Sequence, residues 1–263
     1  MTVVAEADIH KILKVIKLIS QIMLENGAET YRVEDTIVRI CQSYDFLEFE
    51  ALVIPTGVFF SVSLEGISSN HTFIKRVKRR TVDLTKVNSA NTISRKLTEG
   101  VLSLEEATVQ LEAMLRSGPE KKLFLTVAYG LSAGFFTLLF GGGIFDFSIA
   151  AISGAVVQLA AFFFKKEDMF HFIISLVGGM ITAAIAMAAT QIFAMGNFEL
   201  IISGAIMPLL PGLAMTNAIR DSMQGDLVSG VARGTEALIV AVSLAVGVII
   251  VLKVWLLMGG GGL

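Results

Sequence analysis

Cysteine is all but absent from this chain of 263 residues, where Cys41 stands alone. A single thiol excludes an internal disulfide and fits a reducing compartment, and on an apolar helix face it reads as core. Histidine is nearly as scarce, with three residues. His71 has no Cys or His partner at ligand spacing, so no metal site is expected. Neither sign of charge dominates: 21 Lys and Arg stand against 23 Asp and Glu, for a net charge of −2. That balance gives no basic surplus for nucleic acid. No cationic, apolar leader with a small-residue cleavage site opens the chain, so a cleaved signal peptide is not expected. Also missing are a phosphate-cradling glycine loop, a nucleophile elbow and a zinc-protease motif. No cofactor is implied.

What is abundant is apolar surface. The chain is 54% hydrophobic, with a mean hydropathy of +0.73, too apolar for a soluble domain of this size. Charge is unevenly spread: residues 1–122 hold 16 basic and 16 acidic side chains, residues 123–263 only 5 and 7. The fold class predicted is an α-helical integral membrane domain of five transmembrane helices at 121–263, preceded by a small α+β cytosolic domain at 1–120.

In the polar half, Ile9, Ile12, Leu13, Ile16, Ile19 and Met23 recur at helical spacing, and Gly27 is a stop. A second helix carries Val33, Ile37, Ile40 and Cys41. The period then changes: Val58, Phe60, Val62 and Leu64 alternate after the Pro55-Thr56-Gly57 interruption, and His71–Val77 reads as a further strand. Helices follow at 84–98 and 104–116, the second with Ser103 and Glu106 in capping-box spacing. Ser117-Gly118-Pro119 marks the boundary. The segment "ENGAETYRVED" sets Glu25, Glu29, Arg32 and Asp35 near a helix start. The carboxylates among them are candidates for general acids or metal ligands, or else helix-start charges that favour the positive end of the dipole. "KRVKRR" (Lys75 to Arg80) is either a contact for anionic headgroups or a solvated strand end.

In the apolar half, spans are expected at 123–140, 144–164, 169–194, 198–218 and 231–258, each near the ~20 residues that cross a bilayer. With residues 1–122 inside, Lys121, Lys122, Lys165, Lys166, Arg220 and Arg233 flank the cytosolic ends. The outer turns "GGGIFD" and "MGNFE" hold no basic residue. The positive-inside rule then gives a multi-pass protein of the cytoplasmic (inner) membrane, with its N-terminal domain cytosolic and its C-terminus outside. Lys253 and Trp255 are outer interface anchors. An odd number of spans hints at a partner.

Two of the four prolines, Pro208 and Pro211, fall three residues apart inside the fourth span, with Gly212 following. Entering from the outside, Pro208 lies roughly 15 Å deep, near the midplane. Each proline removes a donor, and in lipid such a break is tolerated only where protein or a cavity covers it. A helix restarting at Pro211-Gly212 points its positive end at the midplane, an attractive place for a carboxylate. Thr216 and Asn217 follow, then Arg220 and Asp221 at the cytosolic mouth, with Asp226 beyond. Prolines also kink many spans with no transport role, so the simple kink stands beside the pathway reading. Glu236 lies three residues after Arg233, as a proton or gating pair or as an ion pair anchoring the helix end. Gln158 can bond across helices or to solute. The small residues of Tyr129–Gly134 and Ser175–Gly179 allow close helix packing.

"LENGAETYRVEDTI", "PTGVFFSV", "VNSANTISRKL" with the following "LSLEEA", and "MPLLPGLAMTNAIRDSMQGDLVSGVARGTEAL" stand in this order along the chain. Together they resemble the threonine/serine exporter (ThrE) family over nearly the whole length. The resemblance is to the split, YjjP-type larger subunit, in which a cytosolic domain precedes five spans and a second five-span unit is a separate small protein. It implies export of a small carboxylate: threonine, serine or, for the split type, succinate. The solute site expected is Pro208, Pro211, Gly212, Thr216, Asn217 and Gln158, with Arg220, Asp221, Asp226, Arg233 and Glu236 gating or coupling to an ion. Expected partners are the solute, the lipid bilayer, the small five-span subunit and a further copy of the chain, with no nucleic acid. Two other readings compete: a membrane-anchored hydrolase-like enzyme working at Glu25, Glu29 and Asp35, and a non-transporting scaffold.

Overall fold

The computed structural model describes residues 6–46, 48–63, 70–78, 80–118, 122–166 and 171–258. Leu64, Arg79, Pro119 and Lys121, used above, lie outside the described residues, as do the side chains of Lys165 and Lys166. By its contacts the chain forms two units, Met1–Gly118 with Leu213–Gly234, and Pro119–Gly212 with Thr235–Leu263.

The first unit is built on helix α1 (Glu6–Glu25). Its Ile9, Ile12, Ile16, Ile19, Ile22 and Met23 are fully buried, because a 3.6-residue period lays them along one stripe. Gly27 ends the helix with φ +94°, the left-handed conformation that favours glycine. Helix α2 (Thr30–Ser43) buries Val33, Ile37, Ile40 and Cys41, and that burial pushes the Cys41 thiol up to about 12. Three antiparallel strands follow as a meander, β1 (Glu48–Ile54), β2 (Gly57–Ser63) and β3 (His71–Arg76). Val53 pairs with Val58, and Val58 with Lys75. Val53, Val58, Phe60 and Val62 face the core with α1 and α2, as period 2 requires. Helices α3 (Leu84–Thr98) and α4 (Leu104–Arg116) close this core. The capping box forms: Ser103 Oγ accepts from Glu106 N at 3.2 Å, and Glu106 Oε2 accepts from Ser103 N at 3.0 Å.

The remaining helices are α5 (Lys122–Leu139), α6 (Ile144–Lys166), α7 (His171–Phe193), α8 (Phe198–Ile206), α9 (Gly212–Met223) and α10 (Leu227–Leu257). Four of them, α5, α6, α7 and α10, are long and apolar enough to cross a membrane, and α8 with α9 makes a fifth if the bent pair is one span. Within the second unit, α8 packs against α5, α6 and α7. Small residues set how closely these helices approach. A Cβ at Gly130 would stand 2.7 Å from Ala151 O, and one at Gly134 2.8 Å from the Phe147 ring. Gly179 and Gly247 likewise meet the backbones at Leu244 and Leu176, so α7 and α10 touch almost backbone to backbone. The tightest approach is Gly204 against Thr137, where a Cβ would overlap the hydroxyl and the backbone of α5. Gly204→Ala is therefore expected to force α8 off α5 and lower the melting temperature of the purified protein, a cost of about 1–3 kcal/mol. An unchanged melting curve would refute this packing.

The expected span 198–218 is not one helix. α8 ends at Ile206, Met207–Leu209 forms a 3-10 turn, and Leu210 is extended at φ −64°, ψ 140°. The chemistry of proline accounts for this. Pro208 has no N–H to give Gly204 O, which accepts instead from Met207 N, and the residue before Pro211 is excluded from the helical region. α10 starts four residues earlier than the apolar run suggests. Its 31 residues amount to about 46 Å, more than a ~30 Å hydrocarbon core needs. Its first part, to Gly234, belongs by its contacts to the first unit.

Asp146 is a buried carboxylate that the sequence reading passed over. Its Oδ2 accepts from Gly143 N at 2.8 Å and its Oδ1 from Asn197 N at 2.9 Å. One carboxylate thus ties the α5–α6 turn to the α7–α8 turn. Asn197 in turn caps α8, accepting from Glu199 N at 2.8 Å.

Candidate functional site

The short turn between α1 and α2 poses a local problem. It exposes the last carbonyls of α1 and the first N–H groups of α2. Glu29, at the N-cap of α2, makes no side-chain cap bond. The partners come instead from α9 and the start of α10, about 190 residues further on. Asn217 Nδ2 donates to Gly27 O at 3.0 Å. Arg233 Nη2 donates to Ala28 O at 2.8 Å. Thr30 N donates to Asp221 Oδ1 at 3.2 Å, and Thr30 Oγ1 donates to Asp226 Oδ2 at 3.2 Å. Asp221 therefore caps α2 from another helix, where a negative charge favours the dipole.

These groups are out of water. Thr30 and Asp221 are fully buried, Asn217 is 2% exposed, and Arg233 and Glu29 are each 7% exposed. Arg233 Nε lies 3.0 Å from Asp221 Oδ2. That approach is ionic without the alignment of a hydrogen bond, beside the directional bonds to Ala28 O and from Thr30 N. Arg220 Nη1 pairs with Glu29 Oε1, and Arg32 Nε lies 3.3 Å from Glu29 Oε2. The turn is held from its other side as well, with Thr81 N donating to Glu25 O at 2.6 Å and Asp83 N to Asn26 O at 3.2 Å.

Of the residues singled out in the sequence, Glu29, Arg32, Asn217, Arg220, Asp221, Asp226 and Arg233 meet in this one network. Glu25 accepts from Gln21 Nε2 at 2.7 Å, and Asp35 is exposed. Thr216 and Arg220 line an open pocket of about 390 Å³ with Tyr31, Ile219, Met223 and Gln224. Pro208, Pro211, Gly212, Gln158 and Glu236 belong to the second unit, where Gln158 is buried. Asn217, expected at the solute site, donates from its amide nitrogen to the Gly27 carbonyl. Arg233, three residues before Glu236, donates to Ala28 O and lies against Asp221. Sequence reasoning missed Asn26, Ala28 and Thr30, which act through backbone groups or a hydroxyl within a motif read only for its charges. Among the described residues no group of three His, Cys, Asp or Glu is arranged to hold a metal.

Glu34 sits beside this network. Its Oε1 accepts from Val53 N at 2.8 Å. Burial, outweighing that bond, raises its carboxyl above the ordinary 4.5, helped by the charges of Asp226, Asp35 and Asp221. A raised carboxyl binds its proton more tightly in the folded state. Stability is thus gained as pH falls through the raised value and lost above it. Glu34→Gln is expected to flatten unfolding free energy against pH just above 4.5 and to stabilise the neutral-pH protein by no more than about 1 kcal/mol, after solvent screening. An unaltered pH profile would count against the burial of this carboxyl.

The family model described as "Putative threonine/serine exporter" matches residues 14–255. The "Probable threonine/serine exporter" of Mycobacterium tuberculosis is 22% identical over 250 residues, 94% of this chain and 47% of that protein. "Uncharacterized protein C7D4.12c" of Schizosaccharomyces pombe is 26% identical over 92% of this chain and 32% of its own length. "Pheromone-regulated membrane protein 10" of Pichia sorbitophila is 23% identical, over 92% and 25% respectively. The chain thus spans half or less of the length of these curated relatives. No solved structure matches it. A family match over residues 14–255, joined to four or five membrane-crossing helices, makes this chain a multi-pass membrane protein of the threonine/serine exporter family.

Proposed function

We propose that this protein is a secondary transporter exporting a small carboxylate, a threonine- or serine-like amino acid or a succinate-like dicarboxylate, together with a separate five-span partner subunit. The observation that carries the reading is the buried network in which α9 and the start of α10 cap the turn at residues 26–30. Such a network has two arrangements, made or broken, and a transporter needs an element of that kind to open and close its cytosolic side. Arg220 and Thr216, at the open pocket, are the first contacts of the solute carboxylate. The break at Pro208, Pro211 and Gly212 carries it onward, with Gln158 a further polar contact. Asp221, Asp226, Arg233 and Glu236 gate the route or couple it to an ion. Asn217 acts by holding the turn. The protein lies in the cytoplasmic membrane, its N-terminal domain at 1–120 cytosolic and its C-terminus outside.

The partner subunit is what the resemblance to the split type of the family implies. No role as an enzyme is proposed, because Glu29 is committed to Arg220 and Arg32. The test is efflux of labelled threonine, serine or succinate from preloaded cells, with this chain expressed alone and with the small partner, in a host lacking both. Efflux that needs both proteins is expected. No efflux of any of the three, with both proteins confirmed in the membrane, refutes the proposal.

A further inference from the structure

An antiparallel sheet with one face on a core commonly carries polar residues on the other. The outward face of the β1–β2–β3 sheet departs from this in one place. Its register sets Glu50 beside Ser61 and Ser61 beside Thr72, and two residues further on Ile54 beside Gly57 and Gly57 beside Arg76. Between these rows runs an apolar one, Leu52, Phe59 and Ile74, with one side chain from each strand. The three are 58%, 39% and 69% exposed. Apolar neighbours across strands stabilise a sheet, but that lateral contact is already made, and large apolar surface stays open to water. A contiguous apolar patch with a polar rim marks an interaction surface.

The rim decides what fits it. On one side of the row lie Glu48 and Glu50, both exposed, and on the other Arg76 and, just past the strand, Lys78, also exposed. A wholly basic rim would suit an anionic membrane surface, and a wholly acidic rim a basic partner. A face with an acidic end, an apolar middle and a basic end is complementary to itself. A two-fold axis along the row turns a second copy so that its acidic end meets the basic end of the first, while the apolar rows lie face to face. Both partners then use the same patch, as two-fold symmetry requires. We infer that this sheet face is a contact between two copies of the chain, apolar row against apolar row.

The patch also sets the strength of the contact. Three strands, the longest of seven residues, present a few hundred Å² per copy, roughly, at ordinary strand spacing. A stable soluble dimer buries about 800 Å² on each partner. The contact is therefore weak between free molecules and forms between chains concentrated in one membrane.

The test uses the full chain in its membrane, with single cysteines placed on this face. The native thiol, Cys41, is buried, so wild type is the blank. Facing sheets stand about 10 Å apart, too far for a disulfide, so the reagent is a short bis-maleimide. Leu52→Cys and Ile74→Cys lie on the axis, and each is expected to give a cross-linked dimer. Thr72→Cys, exposed on the same strand as Ile74 but one row off the axis, would stand about 17 Å from its counterpart and give at least about fivefold less dimer. With Ile74→Cys as the reporter, Glu50→Arg and Arg76→Glu should each lower the yield by about two- to fivefold, and the two together should restore it. All these side chains are exposed, so the melting temperature should stay at its wild-type value. Equal yields at 72 and 74 overturn the inference, as does a yield that Glu50→Arg leaves unchanged. If Leu52→Cys and Ile74→Cys give no dimer yet are shielded from a soluble maleimide, lipid or another protein covers the row and the inference falls.

Discussion

Asp221→Ala is expected to destabilise the first unit by about 3–5 kcal/mol, the cost of removing one member of a buried ion pair. Asp221 is fully buried and serves three groups at once: the α2 N-terminus through Thr30 N, the Arg233 guanidinium, and through them the turn at 26–30. Without it, Arg233 loses its pairing with Asp221 Oδ2 and the buried Thr30 N loses its acceptor. The double replacement Asp221→Leu with Arg233→Met removes both charges. It should recover most of the loss, because a buried pair replaced by apolar groups is often neutral in stability. Thermal unfolding of the purified single and double variants decides. A single variant as stable as wild type would mean that the pair is solvated, contrary to its burial. Efflux by a stable double variant separates the two roles, since a gating network should lose function even where stability returns.

The second large effect is expected at Asn217. Asn217→Leu should abolish efflux while leaving expression intact. Leucine keeps the bulk but cannot donate to Gly27 O, a carbonyl of the buried turn. The stability cost of one such orphaned acceptor is about 1–3 kcal/mol, too small to remove the protein from the membrane. Gly27 has no slack to compensate: its φ is +94°, and even a Cβ there would approach Leu213 at 3.3 Å. Labelled-solute efflux at matched membrane abundance is the measurement. Wild-type efflux from this variant would remove both Asn217 and the turn it holds from the transport route.

Several features of the molecule could be read without its coordinates because they obey short-range rules. The stripe from Ile9 to Met23 fixes α1 by its period. Ser103 and Glu106 place the start of α4 by a cap three residues long. The alternation through Val58, Phe60 and Val62 gives β2, and long apolar runs give α5, α6, α7 and α10. Pro208 and Pro211 forbid a continuous helix, since a missing donor and a ring clash act on the nearest turn whatever surrounds them.

The network itself was not legible in this way. Glu29 and Asp35 read as general acids, metal ligands or helix-start charges, and Arg233 was set beside Glu236, because local reasoning compares a residue only with others three or four positions away. In the folded chain the acceptors of Asn217 and Arg233 are backbone carbonyls 190 and 205 residues distant. No periodicity encodes such a pairing. Resemblance to an exporter family marked both segments as a signature without revealing that they bind each other. Sequence alone determined the elements, the apolar spans and the break. Tertiary structure decided which buried donor meets which buried acceptor, because that choice belongs to whichever segments exclude water together.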